Sequence, residues 1–139
     1  MSPVSVLTMT LIVLAMFDLA IDTASHQVIR EFYEANKVVS AVCHGPAALV
    51  NVKLSDGTYL IKDTPVAGFT NEEEDLFQLS SFMPFMLETE LNKNSGGKFV
   101  KAEPWAEKVV VSPNGRIITG QNPASATAIG QAILKAISV

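Results

Sequence analysis

Val38-Val-Ser-Ala-Val-Cys-His-Gly-Pro-Ala-Ala-Leu-Val50 is the stretch on which the fold turns. Lys37 leads into Val38-Val-Ser-Ala-Val42, a short run with the continuous apolar character of a strand buried in a parallel sheet. Gly45 permits a tight turn and a close approach of neighbouring chain. Pro46 fits the first turn of a helix, where its missing N–H costs nothing, and Ala47 to Val50 continue it. Cys43 therefore sits where a strand stops and a helix begins.

Working outward, strands and helices alternate. Upstream, Asp22, Thr23 and Ser25 offer N-cap oxygens for a helix through about Asn36. Val28, Ile29, Phe32 and Tyr33 fall on one of its faces. Downstream, Asp56-Gly57 marks a turn and Thr64-Pro-Val-Ala-Gly68 reads as a short strand. Asn71 to about Ser80 reads as a helix with an acidic start, and Met83-Pro84 begins a further helix carrying Phe85, Met86, Leu87 and Leu91. The Asn94-Ser-Gly-Gly97 turn precedes Lys98-Phe-Val100. Val109-Val-Val111, the turn Ser112-Pro-Asn-Gly115 and Ile117-Ile-Thr119 form a hairpin-like pair. Asn122 to Ser125 caps a last helix with an apolar stripe of Ile129, Ala132, Ile133, Ala136 and Ile137. This alternation predicts an α/β fold, a mostly parallel central sheet flanked by helices.

Composition narrows the function. The 139 residues fit a single domain, and 48% hydrophobic against 17% charged residues, with mean hydropathy +0.29, excludes intrinsic disorder. A net charge of -4 argues against nucleic acid as a partner. One cysteine forms no internal disulfide, and one cysteine with two histidines makes no convincing metal-ligand set. The apolar stretch from Val4 to Phe17 lacks the basic start of a signal peptide, because the first basic residue is Arg30. It is also shorter than the roughly 20 apolar residues of a spanning helix. Its Val, Ile and Thr content reads as a core strand or a disordered start, with a membrane or targeting role as the alternative. No membrane association is expected.

The chemistry centres on Cys43. A lone cysteine is usually a buried small hydrophobe. Its place at a strand-to-helix turn changes the reading, because open α/β folds bind ligands at the carboxyl edge of the sheet. Free backbone N–H groups and the positive end of the following helix are expected to favour the thiolate there, as in the nucleophile elbow of serine hydrolases. His44 emerges beside the same pocket and needs a carboxylate to fix its tautomer. Glu72, Glu73 and Glu74 are the candidates, and spacing alone does not choose among them. For at least two of the three the expectation is a solvated helix start. His26, on a helix, is expected at the surface.

Ala41-Val-Cys-His-Gly-Pro-Ala-Ala-Leu49, Gly68-Phe-Thr-Asn-Glu-Glu-Glu74, Pro84-Phe-Met-Leu-Glu88 and Thr119-Gly-Gln-Asn-Pro-Ala-Ser125 resemble the ThiJ/PfpI superfamily. The likeness is greater to its branch of heat-shock chaperones and glutathione-independent glyoxalases (glyoxalase III). It covers residues 16–139 of what reads as one domain and leaves 1–15 as a divergent apolar start. It implies a flavodoxin-like sandwich and a triad of Cys43, His44 and Glu74, with the backbone of Gly45 near the developing oxyanion. Relatives in this branch convert methylglyoxal to lactate without glutathione, metal or other cofactor. Several also act as stress chaperones or deglycases, and homodimers are common. Trp105, in Glu103-Pro-Trp-Ala-Glu107, matches the family pattern near a dimer or pocket edge.

The resemblance fails at the amino end. Full-length relatives carry upstream strands, a glutamate touching the cysteine, and a Gly-Gly-His-Gly segment where this chain reads Leu11-Ile-Val-Leu14. The chain is therefore expected to be a truncated, partial member whose sheet lacks amino-terminal strands and whose activity is impaired. The leading expectation is a cytoplasmic lyase acting on small 2-oxoaldehydes. The alternatives are a holdase for unfolded clients or a deglycase-like protein with Cys43 as an oxidation-sensitive residue, and a fragment without function.

Overall fold

The computed structural model describes residues 6–10 and 13–138. Two residues of the Leu11 to Leu14 segment, and the ends of the chain, lie outside these. Within the apolar start, Val6–Thr10 forms strand β1, and Val13–Met16 makes a 3-10 turn that buries Ala15 and Met16. Helix α1 follows at Thr23–Glu34, with Asp22 capping it by accepting from Ser25 N at 2.9 Å. Strand β2 is Val38–Val42, buried at every position, and a 3-10 turn at Gly45–Leu49 follows it. Helix α2 (Asn71–Leu76), a 3-10 turn (Ser80–Phe82) and helix α3 (Leu87–Asn94) come next. Strands β3 (Val109–Val111) and β4 (Ile117–Gly120) lead to helix α4 (Ala126–Ile137).

The sheet runs β1-β2-β4-β3. β2 pairs in parallel with β1 and with β4, and β3 closes the edge antiparallel to β4. The mostly parallel sheet with flanking helices is thus the one expected from alternation. Register places Val42 opposite Gly120, so the carboxyl ends of β2 and β4 coincide, and their following loops share one end of the sheet. Helix α4 rests on β2, β3 and β4, and α1 on β1 and β2. A Cβ built on Gly120 would stand 2.7 Å from Ile129 Cδ1 and 3.0 Å from Ser125 Cβ, so α4 approaches the sheet more closely than a side chain there allows.

Several local expectations need correction. Val28 is exposed, whereas Ile29 is buried and Phe32 and Tyr33 are half-buried. Ile29 centres the inward stripe, and Val28 lies about 100° around the helix from it. Thr64 to Gly68 makes only a single bridge, Val66 to Phe99, because Pro65 has no N–H and Ala67 N donates to the Thr119 side chain. The acidic helix ends at Leu76, two residues before Gln78 takes a positive φ of 58°. The helix placed at Met83-Pro84 starts instead at Leu87; the residue before a proline is driven to extended backbone, and Met83 has ψ 139°. Among the described residues, no helix is long and apolar enough to cross a membrane.

Candidate active site

The end of β2 hands the chain to Cys43, which takes φ 62°. Left-handed backbone on a residue with a Cβ costs about 1–2 kcal/mol. Two backbone hydrogen bonds hold it: Cys43 N donates to Gly120 O at 3.0 Å, and Phe69 N donates to Cys43 O at 2.9 Å. The first ties the cysteine to the end of β4, the second to the loop before α2. The bend after the strand read from the sequence is present and turns the sulfur off the strand direction, but the helix expected after it is a five-residue 3-10 turn. Gly45 opens the following turn, where the first N–H groups have no acceptor within the helix.

His44 sits between sulfur and carboxylate. Its Nδ1 is 3.4 Å from Cys43 Sγ, and its Nε2 is 2.8 Å from Glu74 Oε2. A carboxylate oxygen accepts, so Nε2 carries the proton and Nδ1 is left to accept from the thiol. All three side chains are buried. Glu74 reaches the imidazole from α2, whose start is fixed by a capping box: Glu73 N donates to Thr70 Oγ1 at 3.1 Å, and Thr70 N to Glu73 Oε2 at 3.0 Å.

The acidic run is not the solvated helix start expected for at least two of its members. Glu72 is exposed, but Glu73 and Glu74 are 0% and 2% exposed. Successive helical residues point about 100° apart, so three consecutive acids fan out. One meets water, one enters a polar network with Gln121 and Asn122, and one faces His44. Burial pushes the Glu73 carboxyl up, but hydrogen bonds from Asn122, Thr70 N, Trp105 N and Gln121 outweigh it and hold it below its ordinary range.

The expected resting thiolate is also corrected. Burial pushes the Cys43 thiol up to about 11; the His44 backbone N–H opposes this, and the charges of Glu73 and Glu74 add to it. The helix meant to supply a positive end is a five-residue 3-10 turn, too short for a strong macrodipole. The sulfur therefore rests as a thiol with a base already beside it.

Next to it lies a cavity of about 240 Å³ lined by Val13, Cys43, His44, Phe69, Phe77, Leu79 and Pro123. Apart from Cys43 and His44 its walls are apolar. Phe69 lies 4.3 Å from the His44 ring, centroid to centroid, and Trp105 meets Phe77 edge-on at 4.8 Å. Trp105 thus belongs to the aromatic group behind the pocket. His26 is half-buried, not fully at the surface, with Nε2 3.2 Å from Leu19 O. Among the described residues, no group of three His, Cys, Asp or Glu side chains is placed to hold a metal ion. Sequence reasoning held Glu73 only as a candidate partner for His44 and missed its place in the cap of α2 and in the network with Gln121 and Asn122, although Thr70-Asn-Glu-Glu73 carries the capping-box spacing. It also missed Phe69 and Phe77, which carry no local signal of pocket lining.

Residues 16–136 match the model of the DJ-1/PfpI family. Glyoxalase 3 of Candida albicans is 34% identical over 109 residues, covering 75% of this chain and 45% of the relative. A glutathione-independent glyoxalase of Schizosaccharomyces pombe is 32% identical over 127 residues, covering 87% of this chain and 52% of the relative. Among solved structures, glyoxalase III from Candida albicans superposes with TM-score 0.86 at 28% identity, over 95% of this chain and 56% of that one. The Rapid Encystment Protein 24 kDa of Francisella tularensis gives 0.90 at 36% identity, over 95% and 57%. The chain spans about half the length of the curated relatives it matches.

Proposed function

The chain belongs to the DJ-1/PfpI family, and from that membership we propose that it is a glutathione-independent glyoxalase converting methylglyoxal, or a similar small 2-oxoaldehyde, to the 2-hydroxy acid. The observation that carries the reading is the unbroken Sγ, Nδ1, Nε2, Oε2 chain from Cys43 through His44 to Glu74, beside an apolar cavity of about 240 Å³. The names of the relatives support the substrate class.

Cys43 Sγ attacks the aldehyde carbon as His44 Nδ1 takes the thiol proton, and that proton passes to the aldehyde oxygen to complete a hemithioacetal. The Gly45 N–H, at the opening of the turn that follows Cys43, is the donor assigned to the oxygen while it is charged. His44 then removes the hydrogen on the former aldehyde carbon and returns it to the adjacent carbon through an enediol, while the hydroxyl proton of the hemithioacetal passes to the former ketone oxygen, leaving the thioester. The aldehyde carbon is oxidised and the ketone carbon reduced, so no external oxidant enters. Water cleaves the resulting thioester: hydroxyl goes to the acyl carbon and a proton to sulfur. Glu74 keeps Nε2 protonated and favours the imidazolium that forms during each transfer.

The test is incubation of the purified protein with methylglyoxal in the absence of glutathione, with lactate followed by proton NMR. Turnover that Cys43→Ala abolishes is expected; wild-type protein that makes no lactate overturns the reading. A second reading, a holdase for unfolded chains, draws on exposed Leu14, Phe17, Ile21, Phe77 and Phe82. Suppression of client aggregation by wild type and Cys43→Ala alike, without turnover, would favour it. The homodimer and the cytoplasmic setting belong to the same proposal, and sedimentation of the purified chain tests the first.

A further inference from the structure

The buried carboxylate of Glu73 accepts from more partners than any other side chain in the described structure, and the reaction outlined above makes no use of it. Its Oε2 takes hydrogen bonds from Thr70 N and Thr70 Oγ1, each at 3.0 Å. Its Oε1 takes three more: from Trp105 N at 2.9 Å, Gln121 Nε2 at 3.0 Å and Asn122 Nδ2 at 2.8 Å. One end therefore fastens the start of α2, and the other fastens both the segment around Trp105 and the residues leaving β4. These three segments surround the reactive chain. Glu74 is the next residue along α2. Gln121 and Asn122 follow Gly120, whose carbonyl accepts from Cys43 N. Trp105, held at φ 65°, packs edge-on at 5.8 Å against Phe69, whose ring in turn meets His44.

We infer that Glu73 is a positioning residue for this site: its carboxylate sets the angle at which α2 presents Glu74 to His44 and fixes the aromatic wall behind the imidazole. It touches neither sulfur nor imidazole and acts through the segments it joins. The inference rests on the glyoxalase reading only for its turnover measurement. Geometry supplies the mechanism, because α2 has only six residues, too few for its internal hydrogen bonds alone to fix its orientation, so its direction follows from what its side chains hold. Displacing a catalytic group by about 1 Å costs on the order of a hundredfold in rate.

Glu73→Gln is nearly isosteric but offers one acceptor oxygen, so its amide N–H₂ must face donors on one side or the other. The variant is compared with wild type at a temperature where circular dichroism shows both folded. Three readouts are taken: kcat with methylglyoxal, the emission of Trp105 (the single tryptophan of the chain), and the low-field proton NMR signal of the N–H shared by His44 and Glu74. The expected result is a kcat lower by about a hundredfold, a shifted Trp105 emission and a displaced or lost low-field signal. Asn122→Ala, which removes one donor from the same oxygen, is expected to move all three the same way by less, and decides the matter should Glu73→Gln fail to fold. A folded variant with a lower melting temperature but unchanged emission and low-field signal would show that Glu73 serves stability alone. Absence of turnover in wild type would instead reject the glyoxalase reading, and the two spectroscopic signals would still decide the positioning role.

Discussion

Cys43 pairs a costly backbone with a quiet side chain. Its φ of 62° is paid for by hydrogen bonds to Gly120 and from Phe69, while burial keeps its proton on at neutral pH. In the proposed reaction, attack by the sulfur therefore depends on His44 as the acceptor, and His44 on Glu74 for its tautomer. Glu74→Gln keeps shape but lets the amide present either an oxygen or a nitrogen to Nε2, so part of the population holds the wrong tautomer. A kcat loss of about 10²–10⁴-fold is expected, with little change in circular dichroism; loss below tenfold would mean His44 is oriented by something else. At this scale the sequence carried Cys43 and His44 plainly, because an elbow is a local pattern. Local spacing left three adjacent acids undivided, since their directions follow from where α2 docks, and only the family resemblance singled out Glu74. The protonation state of the thiol was misjudged for a related reason: burial is a property of the folded whole, invisible at the turn itself.

Helix α4 and strand β4 show how one missing side chain sets an interface. Gly120 lets the helix sit where a methyl group would collide with Ile129 and Ser125. Gly120→Ala forces Ile129 out of its place and strains the Cys43 N to Gly120 O bond. Overpacking of this kind costs about 1–3 kcal/mol, read as a lower denaturant midpoint; a neutral result would show that α4 shifts freely. Elements with strong local signals were legible: α1 from its Asp22 cap, α4 from its apolar stripe, and β3 with β4 from the turn between them. Elements whose limits depend on distant partners were not. The segment around Val66 looks like a strand, but its amide at Ala67 is claimed by Thr119 from across the fold. The start of α3 was misplaced because Pro84 was read as a helix opener, whereas Met86 holds that position.

For the whole molecule, two buried ionisable groups give stability opposite pH limits. Glu73 has its carboxyl held low in the folded state, so its contribution is full above the unfolded value of about 4.3 and is lost as pH falls through the folded one. Cys43 has its thiol held high, so its contribution is full below the unfolded value of about 8.5 and is lost as pH rises toward about 11. Urea midpoints are expected to fall at both ends. Cys43→Ala should flatten the alkaline limb, and Glu73→Gln the acid one. An alkaline limb that survives Cys43→Ala unchanged would place its origin elsewhere.

The raised thiol has a reversed corollary for the life of the polypeptide. At pH 8 an exposed cysteine is about a quarter ionised, whereas one titrating near 11 is ionised in about one molecule in a thousand. Sulfur on a newly made or heat-damaged chain is thus the more vulnerable to stray electrophiles, and in the proposed reaction maturation itself would shelter it until a substrate carbonyl reaches the imidazole-bearing cleft.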